Sequence, residues 1–264
     1  MTSSDFCDEE ESDWDGFDEE LFSTFFGLEI PKSQIKSIEF TNIEPEGEGI
    51  DISLDNTNDV LLYSKVTDEM YDIKIYSEKE IMFPNDSSEM FSGLDNLDEL
   101  VLENINTSRV IDMSSMFAST GSSSEVFTLD LGEKFDTSNV TNMLSMFEGT
   151  GFSSEVFTLD LGEKFDTSKV TSMSRMFSNT GYSNPNFTLD LSGFDTSKVE
   201  YMYYMFYGSS TLKTIYVSDK WTTNAVTHSD SMFSGCTSLP NFNSSVVDKT
   251  NAHYGEGGYL TLKQ

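Results

Sequence analysis

The dipeptide Met-Phe recurs along this chain at Met90, Met116, Met146, Met176, Met205 and Met232, each followed by phenylalanine, at intervals of 26, 30, 30, 29 and 27 residues. A fixed period of this length means stacked units, each too small to bury its own apolar edge. Residues 121–150 and 151–180 differ only at positions 122, 139, 142, 144, 145, 148 and 149 of the first unit, the trace of a duplication. About six coils are expected, with Leu129, Leu159 and Leu189, and likewise Phe135, Phe165 and Phe194, stacked in register.

Within one coil the sequence runs Phe127-Thr128-Leu129-Asp130-Leu131, then Phe135-Asp136-Thr137-Ser138, then Val140, Met143, Met146 and Phe147. Alternation around Leu129 and Leu131 predicts a short strand. Steps of three and four residues from Val140 to Phe147 predict one face of a short helix, with Asp136, Thr137 and Ser138 as its cap. Each coil is thus expected to be strand, turn, helix. The fold class is an α/β repeat, a leucine-rich-repeat-like solenoid with a small N-terminal antiparallel β cap.

The motif Phe-Asp-Thr-Ser-x-Val-x-x-Met-x-x-Met-Phe, with Gly235-Cys236-Thr237-Ser238-Leu239, resembles the BspA-like leucine-rich repeat family of bacterial surface proteins. The resemblance runs from about Ile35 to the C-terminus, and in the terminal coils Ser87 and Ser229 replace the first methionine. It implies an adhesin-like binding module on the cell surface or secreted. No export signal is recognisable in the sequence, which points instead to the cytoplasm.

Three segments follow from this reading. Residues 1–34 form an acidic tail with eleven acids before the first base, Lys32, and Phe17, Leu21, Phe22, Phe25 and Phe26 at amphipathic helical spacing. Residues 35–84 form the β cap, with strands at 35–40, 50–54, 60–65 and 71–76. Residues 85–264 form the solenoid and a closing strand after Gly255-Glu256-Gly257-Gly258.

Lys and Arg number 15 against 46 Asp and Glu, a formal charge of -31. Such a surface repels nucleic acid and anionic lipid and attracts basic partners over long range. Neither nucleic-acid binding nor membrane insertion is expected. Cys7 and Cys236 provide no disulfide framework, and His228 and His253 stand in no metal-ligand spacing. Glu11-x-Asp13-x-Asp15-Gly16 opens like a calcium loop, but Phe22 occupies the position of the bidentate acid. No catalytic residue, cofactor or metal is expected, and the chain reads as a non-enzyme.

Two surfaces are candidates for partner contact. Asp130, Asp160 and Asp190 should point outward from successive strands as a carboxylate column flanked by Glu133 and Glu163, with Lys134 and Lys164 offsetting part of its charge. Tyr201, Tyr203, Tyr204 and Tyr207 fall outside the core positions Met202, Met205 and Phe206, and Phe152 and Tyr182 extend that surface; tyrosine is enriched in interfaces. Both surfaces fit a protein, basic in character, or a glycan. A second reading is a cytoplasmic acidic inhibitor or polyanion mimic of phage origin that blocks a basic nucleic-acid-binding protein. A third is a structural virion or envelope component, whose sign would be self-association.

Overall fold

The structure is a computed structural model that describes residues 30–53 and 59–263. The amphipathic segment around Phe17 and the Glu11 to Gly16 loop lie outside these residues.

The strands are β1 (Ile35–Thr41), β2 (Ile50–Asp51), β3 (Leu61–Thr67), β4 (Met70–Tyr76), β5 (Ile81–Met82), β6 (Glu99–Leu102), β7 (Ile105–Asn106), β8 (Val126–Asp130), β9 (Val156–Asp160), β10 (Thr188–Asp190), β11 (Thr214–Val217) and β12 (Thr261–Leu262). A seven-stranded sheet has the order β2-β3-β4-β1-β6-β8-β9, a three-stranded sheet the order β10-β11-β12, and β5 pairs with β7. Among the described residues only β2–β3 and β3–β4 are antiparallel. The expectation of an all-antiparallel N-terminal unit is therefore corrected: β1 lies parallel to both β4 and β6 and joins that unit to the sheet of the coils.

The expected strand-turn-helix solenoid is also wrong, because the described residues contain no α-helix, only two short 3₁₀ turns at Lys32–Gln34 and Lys249–Asn251. The Met-Phe segment is instead a chain of tight turns hydrogen-bonded to the next coil. N–H groups of Met143, Ser145, Phe147 and Gly149 donate to the carbonyls of Ser172, Ser174, Met176 and Ser178 at 2.8–3.1 Å. The intervening Met146, Glu148 and Thr150 donate three residues back to Met143, Ser145 and Phe147. Every second N–H thus serves the stack and the others close turns, which leaves no i to i−4 ladder to form. Positive φ recurs four residues apart in every coil, at Glu89 and Gly93, Ser115 and Ser119, Ser145 and Gly149, Arg175 and Asn179, Tyr204 and Gly208, and Ser231 and Gly235. That four-residue unit puts Val140, Met143, Met146 and Phe147 on the inside, all fully buried, at spacings that imitate a helical face.

Side-chain hydroxyls lace the same coils together. Thr120, Thr150, Thr180 and Ser209 are buried, and each Oγ donates to the phenylalanine carbonyl of the preceding coil, at Phe91, Phe117, Phe147 and Phe177, over 2.6–2.9 Å. A second buried set works in both directions: Thr137 Oγ1 donates to the Asp166 carbonyl at 2.8 Å and accepts from the Asp166 N–H at 2.7 Å. Thr107, Thr167 and Thr196 repeat this pair of bonds with Asp136, Asp195 and Thr222. Ser174 Oγ is the buried hydroxyl left without a partner among the described residues. Its counterparts Ser88 and Ser114 bond to Asp86 and Asp112, but position 172 is serine.

Phenylalanine columns fill the interior. Phe91, Phe117, Phe147, Phe177, Phe206 and Phe233 stack in nearly parallel planes at centroid distances of 5.3–5.9 Å. Phe40 and Phe83 meet this column at one end and the buried Tyr259 ring closes it edge-on at 5.2 Å at the other. A Cβ at Gly151, whose φ is +60°, would lie 2.5 Å from the Phe157 ring, so the turn that seats the Phe127, Phe157 and Phe187 column needs glycine there. Between β9 and β10 the sheet parts. Pro185 stands where Glu155 donates its N–H to Glu125, and one residue fewer separates Leu191 from Phe194 than Leu161 from Phe165.

Thr137→Val, which keeps the shape and removes both hydroxyl bonds, is expected to cost about 2–3 kcal/mol in urea unfolding. Thr137→Ser should retain most of the stability. Equal loss in both variants would show that the hydroxyl ladder contributes little.

Candidate functional site

Outward side chains of β8 and β9 are Val126, Thr128 and Asp130, and Val156, Thr158 and Asp160, while Phe127 and Leu129 face the core. Strict parallel register places Asp130 beside Asp160. Each carboxylate turns back on its own chain: Asp130 Oδ1 accepts from Gly132 N–H at 2.8 Å and Asp160 Oδ1 from Gly162 N–H at 3.0 Å.

Asp190 lies beyond the parting of the sheets, and its in-register neighbour in the next coil is Tyr216. Lys263 Nζ bonds to its Oδ2, and Ser192 donates to Oδ1 through Oγ and N–H. Desolvation by burial opposes ionisation of Asp190, but these bonds outweigh it and hold the carboxyl below the usual aspartate range. Lys134, on the turn with Glu133, pairs with Glu80 at 2.7 Å. That bond holds the Glu80 carboxyl low and raises the lysine. The strip therefore comprises Asp130 and Asp160 in register, flanked by the turns of Glu133 and Glu163, and a third acid neutralised by a lysine.

Tyr201, Tyr203, Tyr204 and Tyr207 gather in the Met205 segment of the coil that carries Asp190. Tyr204 and Tyr207 meet edge to face at 5.4 Å, and Tyr203 and Tyr204 at 5.8 Å. The Arg175 guanidinium sits over the Tyr204 ring, 5.0 Å from its centroid, and reaches Glu148 at 3.4 Å. Tyr204 holds a φ of +58°, a turn position occupied by Ser115, Ser145 and Ser231 in other coils. Tyr201, on a neighbouring column, stacks on His228 at 4.9 Å. Phe152 and Tyr182 stack at 4.8 Å with planes only 6° apart. Arg175 is the member of this surface that sequence reasoning missed. Its signal is visible in the repeat, because a base occupies a column otherwise filled by serine, glutamate and tyrosine.

Cys236 takes the place of the threonine in the buried hydroxyl set, its Sγ 2.8 Å from the Phe206 carbonyl. Burial pushes its thiol up to about 12. Among the described residues no three His, Cys, Asp or Glu side chains come together as a metal set, and no helix is long and apolar enough to cross a membrane.

A family model described as "Mycoplasma protein of unknown function, DUF285" matches residues 63–180 and again residues 152–254. The chain belongs to this family. The two matches overlap over residues 152–180, as expected where one model is laid twice along a repeating sequence. DUF285 membership bears out the reading of the chain as part of a repeat family. Comparison with curated proteins and with solved structures gives no match.

Lys263→Met is expected to raise the Asp190 pKa toward the ordinary aspartate value, read by NMR titration of its carboxyl carbon. Because the folded value lies below the unfolded one, Asp190 stabilises the protein above the unfolded pKa, and that contribution fades as pH falls through the folded value. An unchanged titration would remove Lys263 as the cause. In a Cys7→Ser background, alkylation of Cys236 at neutral pH should proceed only at the rate of global unfolding; rapid labelling of the folded protein would contradict its burial.

Proposed function

We propose that this DUF285 chain is a non-enzymatic binding module, adhesin-like in the manner of BspA-like repeat proteins, that presents its tyrosine cluster and acidic strip to a protein or glycan. The cluster of Tyr203, Tyr204 and Tyr207 under Arg175 carries this reading. Three large rings with polar tips occupy columns that elsewhere hold mostly small polar residues, and the backbone has no need of them there. Tyrosine and arginine supply rigid, amphipathic contact area at small entropic cost, the composition of interface hot spots.

The polyanion-mimic reading draws on the charge of -31. It is less favoured because Lys263 neutralises Asp190 and the outward column continues with Tyr216 rather than with another acid.

Capture of partners from the source cell and its surroundings at low and high salt tests the two. The binding module is expected to retain an extracellular protein or glycan at high salt and to lose it in Tyr204→Ser, which installs the residue found at the same turn in other coils. Release of a basic intracellular protein by salt, with Tyr204→Ser behaving as wild type, would favour the mimic and sink the adhesin-like reading.

A further inference from the structure

Phe152 and Tyr182 occupy the same position in successive coils, one residue after Gly151 and Gly181, and their rings lie face to face at 4.8 Å. One coil earlier the same position is Ser122, and the Ser153 N–H donates to its carbonyl at 2.9 Å. With planes 6° apart, the two rings stack along the direction in which coils succeed one another. The face of Phe152 turned away from Tyr182 therefore looks toward Ser122, whose side chain is too small to cover it. Phe152 is 38% exposed.

That uncovered face opens on a recess of about 600 Å³ with Ser119, Ser122, Ser123, Glu148 and Asn179 around it. Ser122 Oγ donates to Asp95 at 2.9 Å, whereas the hydroxyls of Ser119 and Ser123 form no hydrogen bond among the described residues. The site thus offers one flat apolar wall and a rim of hydroxyl, amide and carboxylate groups. A wholly apolar side chain would bury its second face and edges against this polar rim without compensation. A pyranose ring matches it better, with C–H bonds on one face and hydroxyls around the edge.

We propose that this recess is a carbohydrate subsite, in which one hexopyranose unit of a glycan stacks on Phe152 as a third member of the Phe152–Tyr182 column. Its hydroxyls exchange hydrogen bonds with Ser119, Ser123, Asn179 and Glu148. The inference rests on reading the chain as a binding module and names the ligand class for one part of its surface. The 30-residue repeat creates the subsite through a single difference: the coil with serine at this position leaves room beside the coil with phenylalanine.

Saturation-transfer NMR with methyl β-D-galactopyranoside, methyl α-D-mannopyranoside and N-acetyl-D-glucosamine, and with N-acetyl-L-tyrosine amide as a protein-like probe, tests the subsite. At least one sugar is expected to receive saturation from the protein. The effect should fall about tenfold in Phe152→Ala and in Ser122→Phe, which lays an aromatic ring over the same wall. Circular dichroism establishes that each variant is folded. Silence from all three sugars, or undiminished transfer in Ser122→Phe, overturns the proposal. So does transfer to the tyrosine amide alone, which would make the recess a peptide contact. If the partner capture depends on Tyr204 while no sugar binds, the carbohydrate subsite falls and the binding module stands.

Discussion

A tight turn uses only half of its backbone donors, and the donors that remain must be met by something outside the turn. In this chain the neighbouring coil meets them. N–H groups alternate between closing a turn and reaching the next coil, so no Met-Phe segment completes its hydrogen bonding alone. Everything else in the stack depends on that register. The phenylalanine column forms because carbonyls and N–H groups hold successive coils one rung apart, and the threonine hydroxyls find their carbonyls for the same reason. A buried hydroxyl without its partner costs more than the bond contributes, so the ladder and the hydroxyl sets reinforce one another.

Much of this architecture was legible in the sequence. Six Met-Phe dipeptides gave the number of coils, and every residue predicted to stack as core between Val140 and Phe147 is buried. Alternation around Leu129 located β8, whose outward Asp130 and inward Leu129 fall as expected. The helix did not follow, and the reason is physical: a turn that repeats every four residues and a helix that repeats every 3.6 place apolar residues at the same short spacings. Two residues after each phenylalanine Gly93, Ser119, Gly149, Asn179, Gly208 and Gly235 recur, the place where a helix ending near that phenylalanine would also carry a left-handed cap. The left-handed residue that does exclude a helix falls inside the segment, at Ser145 and its counterparts Glu89, Ser115, Arg175, Tyr204 and Ser231, residue types that carry no such signature in the sequence.

The candidate surfaces were legible as residue types and less so as neighbours. Counting columns identified the four tyrosines as displaced from core positions, yet placed Asp190 in line with Asp130 and Asp160. Two local departures from the repeat, Pro185 and the shortened turn before Phe194, part the sheet ahead of it, and Lys263, 73 residues away, supplies its counter-charge. Repeat arithmetic describes what successive coils share; contacts with the closing strand have no counterpart in any other coil. Arg175 was missed for a related reason, since its role is defined by Glu148 one coil before it and Tyr204 one coil after.

The parting between β9 and β10 lies on one side of the stack only. On the opposite side the same two coils remain laced, with Met173, Arg175, Phe177 and Asn179 donating to Tyr201, Tyr203, Met205 and Tyr207. A stack laced along the Met-Phe seam and by Thr167 to Asp195, but open at the strand edge, bends there before it stretches. Tension along the long axis would therefore be taken up first as a tilt at this joint, with the Met-Phe seam as the pivot. That seam also carries the tyrosine cluster, so the aromatic surface sits at the point that moves least while the two arms of the rod change their angle.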